Sequence, residues 1–397
     1  MEHTGSHKAG LSVRFATVFA ALFLQYGFLL PFWPVYLKAR GFDAQAIGLF
    51  YAVMGCARIA TVPLAAFFGE RYGQSPRYLT LLAVLAATPY AVFAVTDSFA
   101  IDLVLAAAIA TFLPALMAIL DAKTLAAAQT HGLSYGQARL WGSATFIAVN
   151  LGGGILITAF GRDHINWMLC GAALIGAASM VLVPAGDTPP RGRAGFAVSD
   201  ALALLRDRRL VFFIAAAGIG QAAHAVYYTF ATLDWQRLGY SDTVIGTLWA
   251  TGVVAEIVLF AFGRRIGARF PPVTLAMLAV AAAALRWLAM SVGPPLAIVF
   301  VLQSLHAFSF GALHLATMSG LHRMVSPGLL ATGQGIYAAV SGGITMALAS
   351  AVAGVLYGAY GRAAYIFAAG LAIAALGMFA LLRPAMADRP PSSPELG

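Results

Sequence analysis

The stretch Gly41-Phe42-Asp43-Ala44-Gln45-Ala46-Ile47-Gly48 returns 198 residues later as Gly239-Tyr240-Ser241-Asp242-Thr243-Val244-Ile245-Gly246, in a chain of 397. Each copy opens an apolar run, and the match continues without a gap. From Gly41 to Ile59 and from Gly239 to Ile257, six of nineteen positions are identical. Carried through the same shift, Arg58 falls on Glu256. Opposed charges at equivalent points of two related apolar helices place a polar site between homologous halves, the pattern of a secondary transporter.

Composition supports a membrane solvent. Hydrophobic residues make up 61% of the chain and charged residues 10%, against about 25% charged in a soluble domain. The apolar runs are continuous rather than alternating. Backbone groups in lipid must be satisfied internally, so these runs are helices and not barrel strands. Twelve spans are expected, at about 14–38, 44–68, 76–95, 99–122, 137–160, 165–184, 209–236, 242–262, 271–290, 295–322, 329–357 and 363–383. Between spans six and seven lies the longest internal polar stretch, with Pro189-Pro190, Gly192, Gly195 and five arginines by residue 209. It divides the chain into a bundle over 1–184, a linker over 185–208 and a second bundle over 209–397. The expected fold class is an all-α membrane protein of twelve transmembrane helices in two pseudo-symmetric six-helix bundles.

With the N-terminus inside, 17 of the 24 Lys and Arg fall on the cytoplasmic side and five outside, leaving Arg58 and Arg286 within the membrane. The excess of basic residues therefore sets orientation, with both termini cytoplasmic in an inner membrane. The net charge of +9 favours anionic lipid and is no nucleic-acid footprint. The first ten residues lack a signal peptide's apolar core, and the long first apolar segment stays as span one. Cys56 and Cys170, the only cysteines, read as packing residues in predicted spans.

A second repeat follows spans two and eight: Gly69-Glu70-Arg71-Tyr72-Gly73 is answered by Gly263-Arg264-Arg265-Ile266-Gly267. Tight cytoplasmic turns need glycine for backbone freedom and arginine for the inner membrane face. The motif resembles the loop motif of the major facilitator superfamily, with Ala66 at its leading glycine, Glu70 for its aspartate and Gln74 for a basic residue. Further along stand Tyr135-Gly136-Gln137-Ala138-Arg139-Leu140-Trp141-Gly142-Ser143, Gln221-Ala222-Ala223-His224-Ala225-Val226-Tyr227-Tyr228 and Gly252-Val253-Val254-Ala255-Glu256. Leu285-Arg286-Trp287, Leu305-His306 and His314-Leu315-Ala316 complete the set. Over roughly residues 14 to 384 this constellation resembles the phenylpropionic acid transporter group of that superfamily, relatives of lactose permease.

The intramembrane charges are the candidates for function, since each costs about 2.5–3.5 kcal/mol on insertion scales unless it faces a cavity or a partner. Glu256 is the expected proton carrier. Burial disfavours a charged carboxylate and an approaching arginine favours it, the two levers such a carrier needs. The plainer alternative is a fixed ion pair with Arg58 or Arg286. Arg286 matches the family's arginine in span nine, expected to displace that proton, or else snorkels toward the outer face. Arg58 could form an ion pair between the halves that breaks during rocking. His306 is a candidate proton relay; His314, eight residues on, points about 80° away. Asp121 and Arg139 resemble the acid–arginine pair that holds substrate in lactose permease, with a cytoplasmic gate beside Lys123 as the alternative. Tyr26, His224, Tyr227 and Phe308 are expected to line the substrate site, and Glu70, Arg71, Arg264 and Arg265 to act as gating or charge-pair residues. Arg162 and Asp234, near span ends, are read as interfacial. No second ligand at i+3 or i+4 accompanies His224, His306 or His314, so no metal site is expected, and no cofactor either.

The resulting expectation is proton symport of a small organic anion by alternating access. The resemblance alone implies an aromatic monocarboxylate. A proton-coupled sugar or nucleoside symporter, or an exporter of hydrophobic compounds, is the alternative. An enzyme is not expected, because no aqueous nucleophile–base pair appears. One two-half chain, working with a small-molecule substrate and protons in the bilayer, suffices as a monomer.

Overall fold

The structure is a computed structural model that describes residues 2–61, 75–185 and 198–387. Its helices are α1 (Glu2–Ala39), α2 (Ala44–Ile59), α3 (Pro76–Phe93), α4 (Phe99–His131), α5 (Tyr135–Phe160) and α6 (Ile165–Ser179). After the short helix Val198–Leu205 come α7 (Arg208–Arg237), α8 (Asp242–Ala261), the short Gly263–Arg269, α9 (Pro272–Ser291) and α10 (Leu296–Met324). Next, α11 runs as Leu330–Ala338, Ala339–Thr345 and Met346–Tyr360, and α12 is Tyr365–Ala387. Among the described residues ten helical runs are long and apolar enough to cross a membrane. One of them, Pro327–Arg383, turns at Gly361, and the shorter Ala44–Ile59 adds another, so twelve spans result.

The repeated sequence produces a repeated turn. Gly41 and Gly239 both adopt left-handed backbone, at φ 87° and 81°, which a residue with a Cβ reaches only at a cost. At each, two amides fold back onto the helix just ended: Gly41 N to Lys38 O and Phe42 N to Leu37 O, then Gly239 N to Gln236 O and Tyr240 N to Trp235 O. This is the Schellman termination. A polar cap starts the next helix two residues on. Asp43 accepts from Ala46 N at 2.8 Å and Ser241 from Val244 N at 3.3 Å, satisfying amides that the helix itself leaves free. Ser75, Ser98 and Ser134 cap α3, α4 and α5 in the same way.

Helix α1 packs along α5 and α6, and α3 against α4 and α6. In the second set α9 packs on α12, α7 on α11 and α12, and α8 on α10. Contacts between the first six helices and the last six run chiefly through α2–α11, α5–α8 and α1–α7. The end holding the Gly41 and Gly239 turns is termed the outer end, following the orientation expected from the basic residues. There a single buried apolar cluster runs through both sets of helices, from Phe32, Trp33 and Tyr90 to Tyr227, Trp249 and Tyr357. Toward the opposite end the buried residues separate into one cluster around Phe15, Leu82 and Leu120 and another around Phe213, Val280 and Leu313. The described helices thus share one buried core at the outer end and divide into separate cores, one in each set, toward the other end.

Gly48 and Gly246, the other repeated glycines, make the outer closure possible. A Cβ on Gly48 would sit 2.6 Å from the Cα of Gly354 in α11, and one on Gly246 would overlap the carbonyl oxygen of Asn150 in α5. Missing side chains let the backbones touch.

Several elements differ from expectation. Helix α4 continues to His131, past the expected end at 122, because polar helix can leave the membrane without breaking its hydrogen-bond ladder. Helix α7 is interrupted at Ala223 and His224, and α10 and α11 carry π-turns at Ala307–Ala312 and Ala339–Thr345. The loop residues Glu70 and Arg71, and half of the linker expected at 185–208, lie outside the described residues.

Candidate functional site

In the second set of helices, Arg286 of α9 is fully buried, so it does not snorkel to the surface. Its Nη1 donates to His306 Nδ1 and to Ser309 Oγ, each at 3.1 Å, and its Nη2 donates to Gln303 Oε1 at 2.6 Å. The guanidinium also lies over the rings of Trp287 and Tyr227, 4.4 and 4.6 Å from their centroids. Arginine's planar fork suits this combination of stacking and several directed bonds.

These bonds fix the histidine tautomers. A guanidinium only donates, so His306 Nδ1 must accept and its proton sits on Nε2. That nitrogen faces Glu256 Oε2 of α8 at 3.7 Å. Ser309 Oγ accepts from Arg286, so its hydroxyl proton points to His224 Nε2, 3.2 Å away, and His224 Nδ1 donates to the carbonyl of Gln221 at 3.1 Å. Gln303 completes the cluster by donating to the Tyr227 hydroxyl at 2.9 Å and to Leu248 O at 3.1 Å. One continuous polar chain therefore runs Glu256–His306–Arg286–Ser309–His224, walled by Tyr227, Tyr228, Trp249 and Trp287. The break in α7 falls at His224, and the π-turn of α10 carries Ser309. Irregular backbone of this kind is frequent at functional sites.

In the first set, Arg139 of α5 approaches Asp121 of α4, with Nε 3.8 Å from Oδ1, and Tyr135 donates to the same oxygen at 3.0 Å. The Arg139 guanidinium lies over Phe23 at 4.2 Å and Phe19 at 5.5 Å. Both charged side chains are about one-third exposed, so most of the guanidinium's donors remain open to a ligand. Tyr26 packs against Phe23 and lies within electrostatic reach of Arg139, Asp121 and Arg58.

Arg58 stands between the two clusters. It is exposed and within electrostatic reach of Tyr26 and Tyr51 on its own side and of Tyr228 on the other. Glu256 reaches the same Tyr228. Among the described residues no ion pair joins Arg58 to Glu256; the carboxylate is turned to His306 instead. The symmetry of the repeat holds along the helices but not for the side-chain pairing.

The remaining candidates scatter. His224 and Tyr227 are buried in the polar chain and its aromatic wall rather than lining open space, and Phe308 is 52% exposed. Arg264 and Arg265 lie on the short helix Gly263–Arg269, where Arg265 covers Phe262 at 5.7 Å. Gln303 and Ser309 were not among the expected residues. Their signal was a spacing of three, Gln303-x2-His306-x2-Ser309, which lines one face of α10.

A two-set helical bundle with ionisable residues buried within one set and partly exposed in the other is the architecture of a secondary transporter. The model of the MFS_1 like family matches residues 13–369, and the chain belongs to this family of the major facilitator superfamily. It is 30% identical over 380 residues to the probable 3-phenylpropionic acid transporter of Escherichia coli (strain K12), covering 91% of this chain and 94% of that one. It is 26% identical to the maltose permease of Geobacillus stearothermophilus, over 86% of each chain. Among solved structures the nucleoside transporter NupG superposes with a TM-score of 0.82 at 15% identity, covering 96% of this chain and 100% of that one. That likeness concerns the fold.

Proposed function

We propose that this protein is a proton-coupled symporter of a small organic anion, of the aromatic monocarboxylate kind, working by alternating access as one chain in the inner membrane with both termini cytoplasmic. The observation that carries the reading is a charge balance. Among the described residues three arginines, Arg58, Arg139 and Arg286, belong to the central region, with the buried Lys123 two residues from Asp121, against two carboxylates, Asp121 and Glu256. With the histidines neutral, cations outnumber carboxylates there, which suits an anion. An uncharged sugar would leave that excess uncompensated.

Coupling follows from the same residues. Glu256 is the counter-charge that His306 links to Arg286. A proton arriving on Glu256 removes that negative charge and strengthens the field that attracts an anion, so each ligand favours the other's binding. Proton and anion together leave the region with the charge it had before loading. The halves, 1–184 and 209–397 joined by 185–208, then rock about the α2–α11 and α5–α8 contacts. Each ligand drives this only by its differential affinity for the two states. In this reading Arg139 clamps the carboxylate beside Asp121 and Tyr135, Tyr26 and the nearby rings take the aromatic body, and the Arg58 charge guides the anion across. The resemblance to a phenylpropionic acid transporter supports the same substrate class.

The Asp121–Tyr135–Arg139 group also offers acceptors and donors to a hydroxyl-rich ligand, which favours a sugar or nucleoside as the second reading. Uptake into proteoliposomes of labelled 3-phenylpropionate, cinnamate, maltose and a nucleoside separates the two. Saturable accumulation of the acids under an inward proton gradient is expected. Accumulation of the sugar or nucleoside alone would overturn the substrate class.

A further inference from the structure

Five basic residues are assigned to the outer side, a side where such residues are normally sparse. They are Lys38, Arg40, Arg162, Arg237 and Arg362. Arg40 is held within the first set of helices by Asp102 at 3.3 Å and by the carbonyls of Phe93 and Thr96. The other four gather at one place. Lys38 at the end of α1, Arg162 after α5 and Arg237 at the end of α7 line a single cleft of about 240 Å³ with Leu233 and Gln236. Arg362 lies next to it, joined to the buried Asp234 at 3.6 Å.

At this cleft a single ion pair links the two sets of helices. Nη2 of Arg162 is 3.6 Å from Oδ2 of Asp242, and Gln236 donates to Oδ1 of the same carboxylate at 2.6 Å. Asp242 is nearly buried while Arg162 is half exposed. The Arg162 contact is long and involves one nitrogen, so most of the guanidinium fork stays open to a second carboxylate. Lys38 and Arg237 are both exposed, and among the described residues neither has a carboxylate within ion-pair distance. Arg237 leans over the Tyr357 ring at 5.0 Å. Four cations, Lys38, Arg162, Arg237 and Arg362, stand against Asp234, Asp242 and Asp163, the neighbour of Arg162, so the mouth keeps a positive charge. The cleft is smaller than the roughly 300 Å³ at which sites for drug-sized ligands begin, so it accepts the carboxylate end of a small acid.

We propose that the closed outer end carries a second anion site, at which the carboxylate of an arriving organic acid docks among Lys38, Arg162 and Arg237 and displaces Asp242 from Arg162, releasing the latch between the two sets of helices. This rests on the organic-anion reading above. The site concentrates substrate at the closed face and ties opening to its arrival, so an empty transporter stays latched.

The test is the external KM for labelled 3-phenylpropionate in right-side-out proteoliposomes, for the wild type and for single-residue variants at the cleft. Lys38→Gln and Arg237→Gln are each expected to raise external KM about fivefold, with the rate at saturation within about twofold of wild type. Lys38→Arg is expected to restore it, and Asp242→Asn, which removes the competing carboxylate, to lower it. Wild-type transport with external KM unchanged in both Gln variants, or raised in Asp242→Asn, overturns the outer site while leaving the substrate class standing. A wild type that carries other solutes but no organic acid overturns the substrate class and the outer site together.

Discussion

At the residue scale the protein concentrates its risk in one buried cation. Arg286 keeps its charge with no carboxylate touching it directly, held by Gln303, His306, Ser309 and two aromatic faces. Leaving such a group short of a partner costs about 1–3 kcal/mol for each polar atom. Ser309→Ala removes an acceptor for Arg286 and the donor to His224, and is expected to destabilise the detergent-purified protein by about 2 kcal/mol, read as a lowered Tm. Arg139 should behave differently, since it is partly exposed and its site tolerates water. Arg139→Gln is expected to keep the fold and raise the KM for the acid about 10- to 100-fold, as loss of a charged hydrogen bond of about 1.5–3 kcal/mol implies. Arg139→Lys should recover only part, because a point charge does not match a carboxylate as the fork does. An unaltered KM in Arg139→Gln would remove this arginine from the substrate site. Glu256, Arg286 and His306 were legible from the sequence because charge in an apolar run is conspicuous. Gln303 and Ser309 were not, since neutral polar side chains are common in such helices and only a three-residue spacing marked them.

At the element scale, the spans were readable from continuous hydrophobicity, and the correspondence of α2 with α8 from the Gly-x5-Ile-Gly repeat. Breaks inside helices were not. The interruption of α7 at His224 and the π-turns of α10 and α11 depend on what packs against them, which hydropathy does not carry. Pairing of side chains was equally hidden: the repeat aligns Arg58 with Glu256, but the carboxylate turns to a histidine two helices on in its own set. The repeated glycines carry a prediction at this scale. A side chain on Gly246 meets the backbone of Asn150, and backbone cannot move aside cheaply. Gly246→Val is therefore expected to hold α5 and α8 apart at the outer end and abolish net transport while substrate still binds from outside. Spin labels on the outer ends of these helices should report a lengthened distance. An unchanged distance with normal transport would show that the glycine contact does not govern closure.

At the scale of the whole molecule, the single outer core and the separate inner cores correspond, in the proposed alternating-access cycle, to one station. Alternation requires that the outer cluster open in turn, and only contacts that differ between the stations can drive it. The glycine contacts and the Arg162–Asp242 pair lie between the two sets of helices, where a rocking motion changes them. The buried interiors of α9 and α12 do not lie there. Membership of the family establishes the architecture; the proposed coupling rests on Glu256 and its histidine.

The most direct test compares two fluxes of labelled 3-phenylpropionate in proteoliposomes holding wild-type protein or Glu256→Gln. A glutamine keeps the shape of a protonated carboxylate but cannot cycle a proton. Counterflow down no gradient should persist in the variant, while accumulation driven by an inward proton gradient should fall to the passive level. Gradient-driven accumulation that survives in Glu256→Gln would contradict the account.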